Sequence, residues 1–250
     1  ISIINNSVSD PDGDPVTTTF NWYENNESLA VLNMPFDSNG SEPAKDYSPY
    51  NNSGAVSGAF FNATGGVDGY GAYEFDAIDD YVEVTHTNSL NFTNQITMSV
   101  WIKRSVGTAN NPRIIHKGAT DNILLFISES TDKVGFNLDI GTSSLLWSDD
   151  AVPLDTWTHV ATTYDNSNMK IYINGVEKGT KPQSGDIDTH SANNLMIGKL
   201  VSSEYFNGSI DSVMVFNRSL SADEILALNN SFGRMDTLVS AETTLGNSYM

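Results

Sequence analysis

From residue 81 to residue 216 the chain repeats one device. Short segments in which apolar and polar residues alternate, or brief β-branched and aromatic runs, are bounded by Gly, Asn, Asp or Ser clusters. Alternation at a period of two sends successive side chains to opposite faces of an extended strand, so each segment can bury one face only against a second layer. The alternating segments are 81–85 and 96–102, followed closely by 114–117, 123–128, 133–138 and 144–147. Segments 157–164 and 169–173 are joined by Asp165-Asn-Ser-Asn168, and Asn174-Gly175 is the dipeptide of a tight hairpin turn. Segments 195–197 and 209–216 complete the set. Strands at this spacing imply an all-β, two-sheet sandwich or jelly roll. One helix is expected, over 221–228, with Ser221 as N-cap, Glu224 closing a capping box, and Ile225 and Leu228 as an apolar stripe.

Composition narrows what such a sandwich can do. Twelve Lys and Arg against 31 Asp and Glu leave a formal net charge of -19, which repels a phosphate backbone and sets nucleic acid aside as a partner. The longest apolar run, 123–127, is far short of a membrane span, and the first residues lack the pattern of a signal peptide, so the segment itself is not expected to insert into a membrane. There is no Cys, which removes disulfides and thiolate chemistry and points towards a prokaryotic source. Nine Asn head an N-x-Ser/Thr sequon: Asn5, Asn26, Asn39, Asn51, Asn62, Asn91, Asn207, Asn217 and Asn229. Two readings of them stand, glycosylation acceptors or a polar β-surface rich in turn residues.

Six motifs carry a resemblance. Phe75-Asp-Ala-Ile-Asp-Asp-Tyr-Val82, Thr97-Met-Ser-Val-Trp-Ile102, Trp157-Thr-His-Val-Ala161, Ile171-Tyr-Ile-Asn-Gly175, Met196-Ile-Gly198 and Phe206-Asn-Gly-Ser-Ile-Asp-Ser-Val213 occur in that order. Together with Asn217-Arg-Ser-Leu-Ser221 and the earlier Met34-Pro-Phe-Asp37 they resemble a laminin-G-like, concanavalin-A-like jelly roll, placed here at 31–231. The ends are similar to parts of an immunoglobulin-like repeat of prokaryotic cell-surface proteins: Asp10-Pro-Asp-Gly-Asp-Pro-Val16 with Trp22 at the start, Leu238-Val239 and Gly246-Asn247 at the finish. Residues 1–30 and 232–250 therefore read as one partial immunoglobulin-like module into which the jelly roll is inserted, with two unrelated linkers as the alternative.

Catalysis has little support in the residues. Relatives of this fold that hydrolyse β-glucans use Glu-x-Asp-x-x-Glu along a strand, and Glu74-Phe-Asp-Ala-Ile-Asp79 fits only superficially, because Asp76, Asp79 and Asp80 fall in a tight turn whose amides or a cation they would bind. His159 sits beside apolar neighbours and reads as a packed structural residue. Calcium, a hard cation that takes six to eight oxygens, is the expected cofactor. Asp46, Ser48, Asn51 and Asn52 supply an oxygen-rich loop, and the resemblance implies that Asp211, in the last core strand, shares a structural ion with early-chain groups. The resemblance also carries a rim calcium to Asp121 and Asn122, with Asp188 on the partner loop. An Asx-turn loop, with Asp211 bonded to backbone, is the open alternative.

The expected function is a non-catalytic, extracellular or cell-surface adhesion module that binds glycan or another surface protein. A structural spacer, or a self-associating subunit of a surface layer or filament, is the alternative. Trp147 and Tyr205 are the aromatics nearest expected loops, although Trp147 equally fits the end of a core strand.

Overall fold

The computed structural model describes residues 23–24, 27–106, 111–118, 122–188, 192–200 and 204–232. A two-strand hairpin, β1 (Tyr23–Glu24) and β2 (Glu27–Ser28), precedes β3 (Leu32–Met34), β4 (Gly54–Ser57), β5 (Phe60–Asn62), β6 (Ala72–Asp76) and β7 (Tyr81–Val84). Then come β8 (Ile96–Arg104), β9 (Arg113–Lys117), β10 (Ile123–Ile127), β11 (Lys133–Asp139) and β12 (Ser143–Ala151). The chain continues through β13 (Thr158–Tyr164), β14 (Asn168–Ile173), β15 (Val176–Pro182), β16 (Leu195–Ile197) and β17 (Asn207–Phe216) to helix α1 (Ala222–Asn230).

The strands form two antiparallel sheets, a seven-stranded one in the order β12-β11-β10-β9-β16-β7-β4 and an eight-stranded one in the order β15-β14-β13-β8-β17-β6-β5. Their inner faces meet in one apolar core to which β8 contributes Ile96, Met98, Val100 and Ile102, and β11 Val134, Phe136 and Leu138. These are alternate positions, as the pleat requires. Expected and observed strands agree closely from β7 to β11, at β13, β14, β16 and β17, whereas β12 runs four residues past its expected end at 147. The hairpin after β14 turns at Asn174 (φ 51°) and Gly175 (φ 77°), the two left-handed residues of a type I′ turn. The helix starts at the expected cap: the Ser221 hydroxyl accepts the Glu224 amide while the Glu224 carboxylate accepts the Ser221 amide.

Strand β17 changes partner halfway. Residues 207–210 pair with β6 and residues 213–215 with β3, and a bulge lies between them at Asp211 and Ser212, the latter at φ 50°. Helix α1 packs on the outer face of the eight-stranded sheet, where Ile225 and Leu228 join Ala30, Ala161, Tyr172, Met214 and Phe216 in a second apolar cluster. Both ends of the jelly roll attach to β17: the Val31 amide bonds the Val215 carbonyl, and the Ser212 hydroxyl bonds the Phe232 carbonyl. Most of the expected immunoglobulin-like module, including Trp22 and Leu238-Val239, lies outside the described residues. Among the described residues no helix is long and apolar enough to cross a membrane.

Candidate functional site

The outer face of the seven-stranded sheet carries a row of side chains assembled by strand pairing alone. Trp147 on β12 lies opposite Gly135 on β11, Gly135 opposite Phe126 on β10, and Phe126 opposite Arg113 on β9. Their neighbours Leu146, Val134, Phe136, Leu125 and Ile127 point into the core, so these four point out. Trp147 is 39% exposed and meets Phe126 edge to face at 5.1 Å. A Cβ on Gly135 would lie 2.3 Å from the Phe126 ring, so glycine at this position is what lets Phe126 lie across β11 towards Trp147. The Arg113 guanidinium stacks on the other side of the row, 4.8 Å from the Phe126 centroid, and pairs with the Glu204 carboxylate at 2.9 Å. The next row of the same face holds Leu145, Asn137, Leu124 and His116. An exposed indole on a rigid sheet, backed by a second ring, is the apolar platform on which a sugar ring stacks.

The acids expected to hold calcium are used in three different ways. Asp46 is buried, and its two oxygens accept from the Asn33, Ser48 and Asn52 amides at 2.8–2.9 Å and the Ser48 hydroxyl at 2.6 Å. Asn52 is equally committed, donating to the Val31 carbonyl and the Ser89 hydroxyl and accepting from Thr87, while Asn51 stands exposed at φ 53°. The loop is thus a hydrogen-bonded knot.

Asp211 shares none of these hydrogen-bond partners. Its carboxylate, 1% exposed at the β17 bulge, accepts the Val67 amide at 2.9 Å and the Ser212 hydroxyl at 3.3 Å. Burial, with the added repulsion of Asp68 and Asp37, pushes its pKa up to about 8. A Cβ on Gly66 would lie within 3 Å of the Gly71 carbonyl, the Tyr70 carbonyl and Asp211 Oδ2, so three oxygens converge on this glycine. Hard oxygen donors suit a calcium ion, and Asp37 and Asp68 are acids near enough to repel Asp211 that the sequence reading did not associate with it. The signal was the left-handed Phe36 (φ 62°) beside Asp37 and the glycine pair at 65–66, neither of which a lone sequence reveals as a site.

At the rim, Asp121 lies outside the described residues. Asn122 is 2% exposed with no partner on either amide atom; its carbonyl accepts the Asp139 amide, and the Asp139 carbonyl accepts the Asp188 amide. The structure therefore brings Asn122 and Asp188 to one end of the sandwich, through Asp139. Asp76, Asp79 and Asp80 do form a tight turn: Asp80 accepts the Asp76 amide, Asp76 accepts the Ile78 amide, and their oxygens lie within 4.8 Å of one another. Burial and then the two neighbouring acids raise the Asp80 pKa. Glu74 sits on the eight-stranded sheet and accepts from Asn62 at 2.7 Å, away from the Trp147 row.

His159 is fully buried on the outer face of the eight-stranded sheet. It bonds Ser99 Oγ through Nε2 at 2.8 Å and packs on Trp101 at 5.4 Å, and burial drives its pKa down to about 3. Of the sequon Asn, Asn39, Asn51 and Asn217 are exposed. Asn62 and Asn207 spend their amides on Glu74 and the Val106 carbonyl, Asn229 donates to Asn230, Asn91 is half-buried, and Asn5 and Asn26 lie outside the described residues.

Residues 76–226 match the family model of the concanavalin A-like lectin/glucanases superfamily. The chain belongs to this superfamily. No curated protein matches the sequence. Among solved structures, domain 4 of AbnA, a GH43 extracellular arabinanase from Geobacillus stearothermophilus solved with arabinotriose, superposes with a TM-score of 0.66 at 19% identity, covering 81% of this chain and 99% of that one. The binding domain of botulinum neurotoxin serotype G gives 0.65 at 18% identity over 81% of this chain. The binding domain of botulinum neurotoxin DC, in complex with SialylT, gives 0.64 at 19% identity over 82%. The chain spans 51% of each toxin binding domain. These likenesses are of fold.

Proposed function

We propose that this member of the superfamily is a non-catalytic carbohydrate-binding module of an extracellular or cell-surface protein, and that its glycan lies across the outer face of the seven-stranded sheet on Trp147. The observation that carries the reading is the half-exposed indole, held edge to face on Phe126 in mid-strand, where a core tryptophan would have pointed inward. The arabinotriose complex of one structural neighbour and the SialylT complex of another support it. Screening wild type and Trp147→Ala on a glycan array tests it. A set of wild-type ligands lost or weakened at least tenfold in the variant, about 1.4 kcal/mol, is the expected result. Binding that survives the substitution places the ligand elsewhere.

Calcium enters this proposal as a structural ion. Asp211, with the Tyr70 and Gly71 carbonyls, would hold it, and its charge would offset the repulsion that Asp68 and Asp37 exert on Asp211 at the bulge where β17 changes partner. Insertion in an immunoglobulin-like module is supported by the attachment of residues 31 and 232 to the same strand. Exposed Asn39, Asn51 and Asn217 are the sequons that glycosylation would reach first.

A further inference from the structure

Arg113 is the cation that ends the Trp147 row on β9, against Phe126, and it is already spoken for. Its guanidinium is 7% exposed, lies over Phe126, pairs with Glu204 at 2.9 Å and donates to the Asn111 carbonyl at 2.9 Å. The backbone holds the partner in place as well, since the Arg113 amide bonds the Glu204 carbonyl at 3.0 Å. Two lysines of β15, the strand that meets β12 across the sheet edges, are also engaged. Lys178 pairs with Asp150 at 2.7 Å, and Lys181 donates to the Ser144 hydroxyl at 2.8 Å. Asp149 and Asp150 follow Trp147 on the same strand, both exposed.

We infer that Glu204 sets the charge selectivity of this face: by occupying the Arg113 fork it makes the platform a site for uncharged sugars and closes it to sialic, uronic or sulfated ones. The inference rests on the glycan reading above. A free guanidinium two ring contacts from a stacked sugar would bind a carboxylate or sulfate through two parallel hydrogen bonds. With Glu204 in that place, an acidic substituent meets a neutralised pair and the exposed Asp149 of β12, on a chain whose formal net charge of -19 repels it from a distance. Discrimination then comes from repulsion, while the neutral ring keeps its full contact with the indole.

Glu204→Gln tests the inference, because the amide keeps the side chain's shape and removes its charge. Two probes are used. Sodium sulfate, at constant ionic strength, is titrated while the Arg113 Nε–H resonance is followed, and paired oligosaccharides that differ only in a terminal sialic acid are compared for binding. Wild type is expected to favour the neutral member at least tenfold. In Glu204→Gln the ratio moves at least tenfold towards the acidic member, and sulfate shifts the Arg113 signal at a concentration at least tenfold below that needed in wild type. Equal sulfate responses in the two proteins overturn the role given to Glu204, whatever the sugars do. A wild type that binds the sialylated member as well as the neutral one, or a ratio unmoved by the substitution, overturns the selectivity. If neither protein binds any oligosaccharide, the glycan reading falls and the selectivity with it, while the sulfate arm still reports separately on Glu204.

Discussion

Replacing Asp46 by Ala removes the acceptor of three backbone amides and one hydroxyl in a single step, at a residue that is 3% exposed. Hydrogen bonds to a charged acceptor contribute about 1.5–3 kcal/mol each, and a buried donor left without one costs about 1–3 kcal/mol. The Ser48 hydroxyl has a second acceptor in the Val31 carbonyl at 3.3 Å, and water entering the gap will serve part of the rest. Counting roughly half of the bonds as lost gives a destabilisation of about 3–5 kcal/mol. In a domain of this size that lowers the melting temperature by about 8–15 °C. Urea unfolding of wild type and Asp46→Ala, in chelator and in excess calcium, measures it. The loss should be the same in both buffers, because the carboxylate acts on protein donors. A loss below about 1 kcal/mol would refute the knot. A loss confined to the calcium buffer would mean that Asp46 works through an ion, as the sequence alone suggested.

Three further outcomes follow from the other sites. Calcium should raise the melting temperature of wild type, since a ligand bound only by the native state stabilises it by mass action, and Asp211→Asn should abolish most of that shift; an equal shift in both proteins excludes Asp211 as a ligand. His159 is held neutral in the native state down to about pH 3, so from about pH 6.5 downward the unfolded chain takes up a proton that the folded one refuses, and stability falls as the pH drops. His159→Gln, destabilised by about 1–3 kcal/mol at pH 7, should close on wild type by up to about 3 kcal/mol by pH 4, and a pH-independent difference would contradict the burial argument. Gly135→Ala should drive Phe126 off its contact with Trp147 at an overpacking cost of about 1–3 kcal/mol, read as a changed near-ultraviolet dichroism of the indole; an unchanged signal would show that the row tolerates a methyl group.

The strands that alternate without interruption, such as β8 and β13, were legible because a period of two needs no distant information. β4, β5 and β6 were not, since β4 and β5 are four and three residues long among glycines and are defined only by the neighbours they pair with. The capping box at Ser221 and Glu224 and the turn at Asn174-Gly175 are local chemistry and were read directly. Asp46 shows the limit of composition: a loop rich in oxygens suits a cation or its own amides equally, and no stretch of sequence reveals that the fold brings the Asn33 and Asn52 amides to this carboxylate. The Trp147 row joins residues 147, 135, 126 and 113 across four strands, so no window of sequence contains it. Its trace in the sequence was Gly135 inside an alternating strand, a mark of close approach by another group, and the inward Leu146 that turns Trp147 outward.

The glycan is proposed to sit on the outer face of the seven-stranded sheet, and chemical-shift mapping of the labelled protein with its best neutral array ligand locates it. The largest changes should fall on the Trp147 indole, Phe126, Leu145 and the Arg113 guanidinium. Changes centred instead on the loop around Tyr47 and Tyr50, or on the outer face of the eight-stranded sheet around Phe60 and Glu74, would contradict that placement.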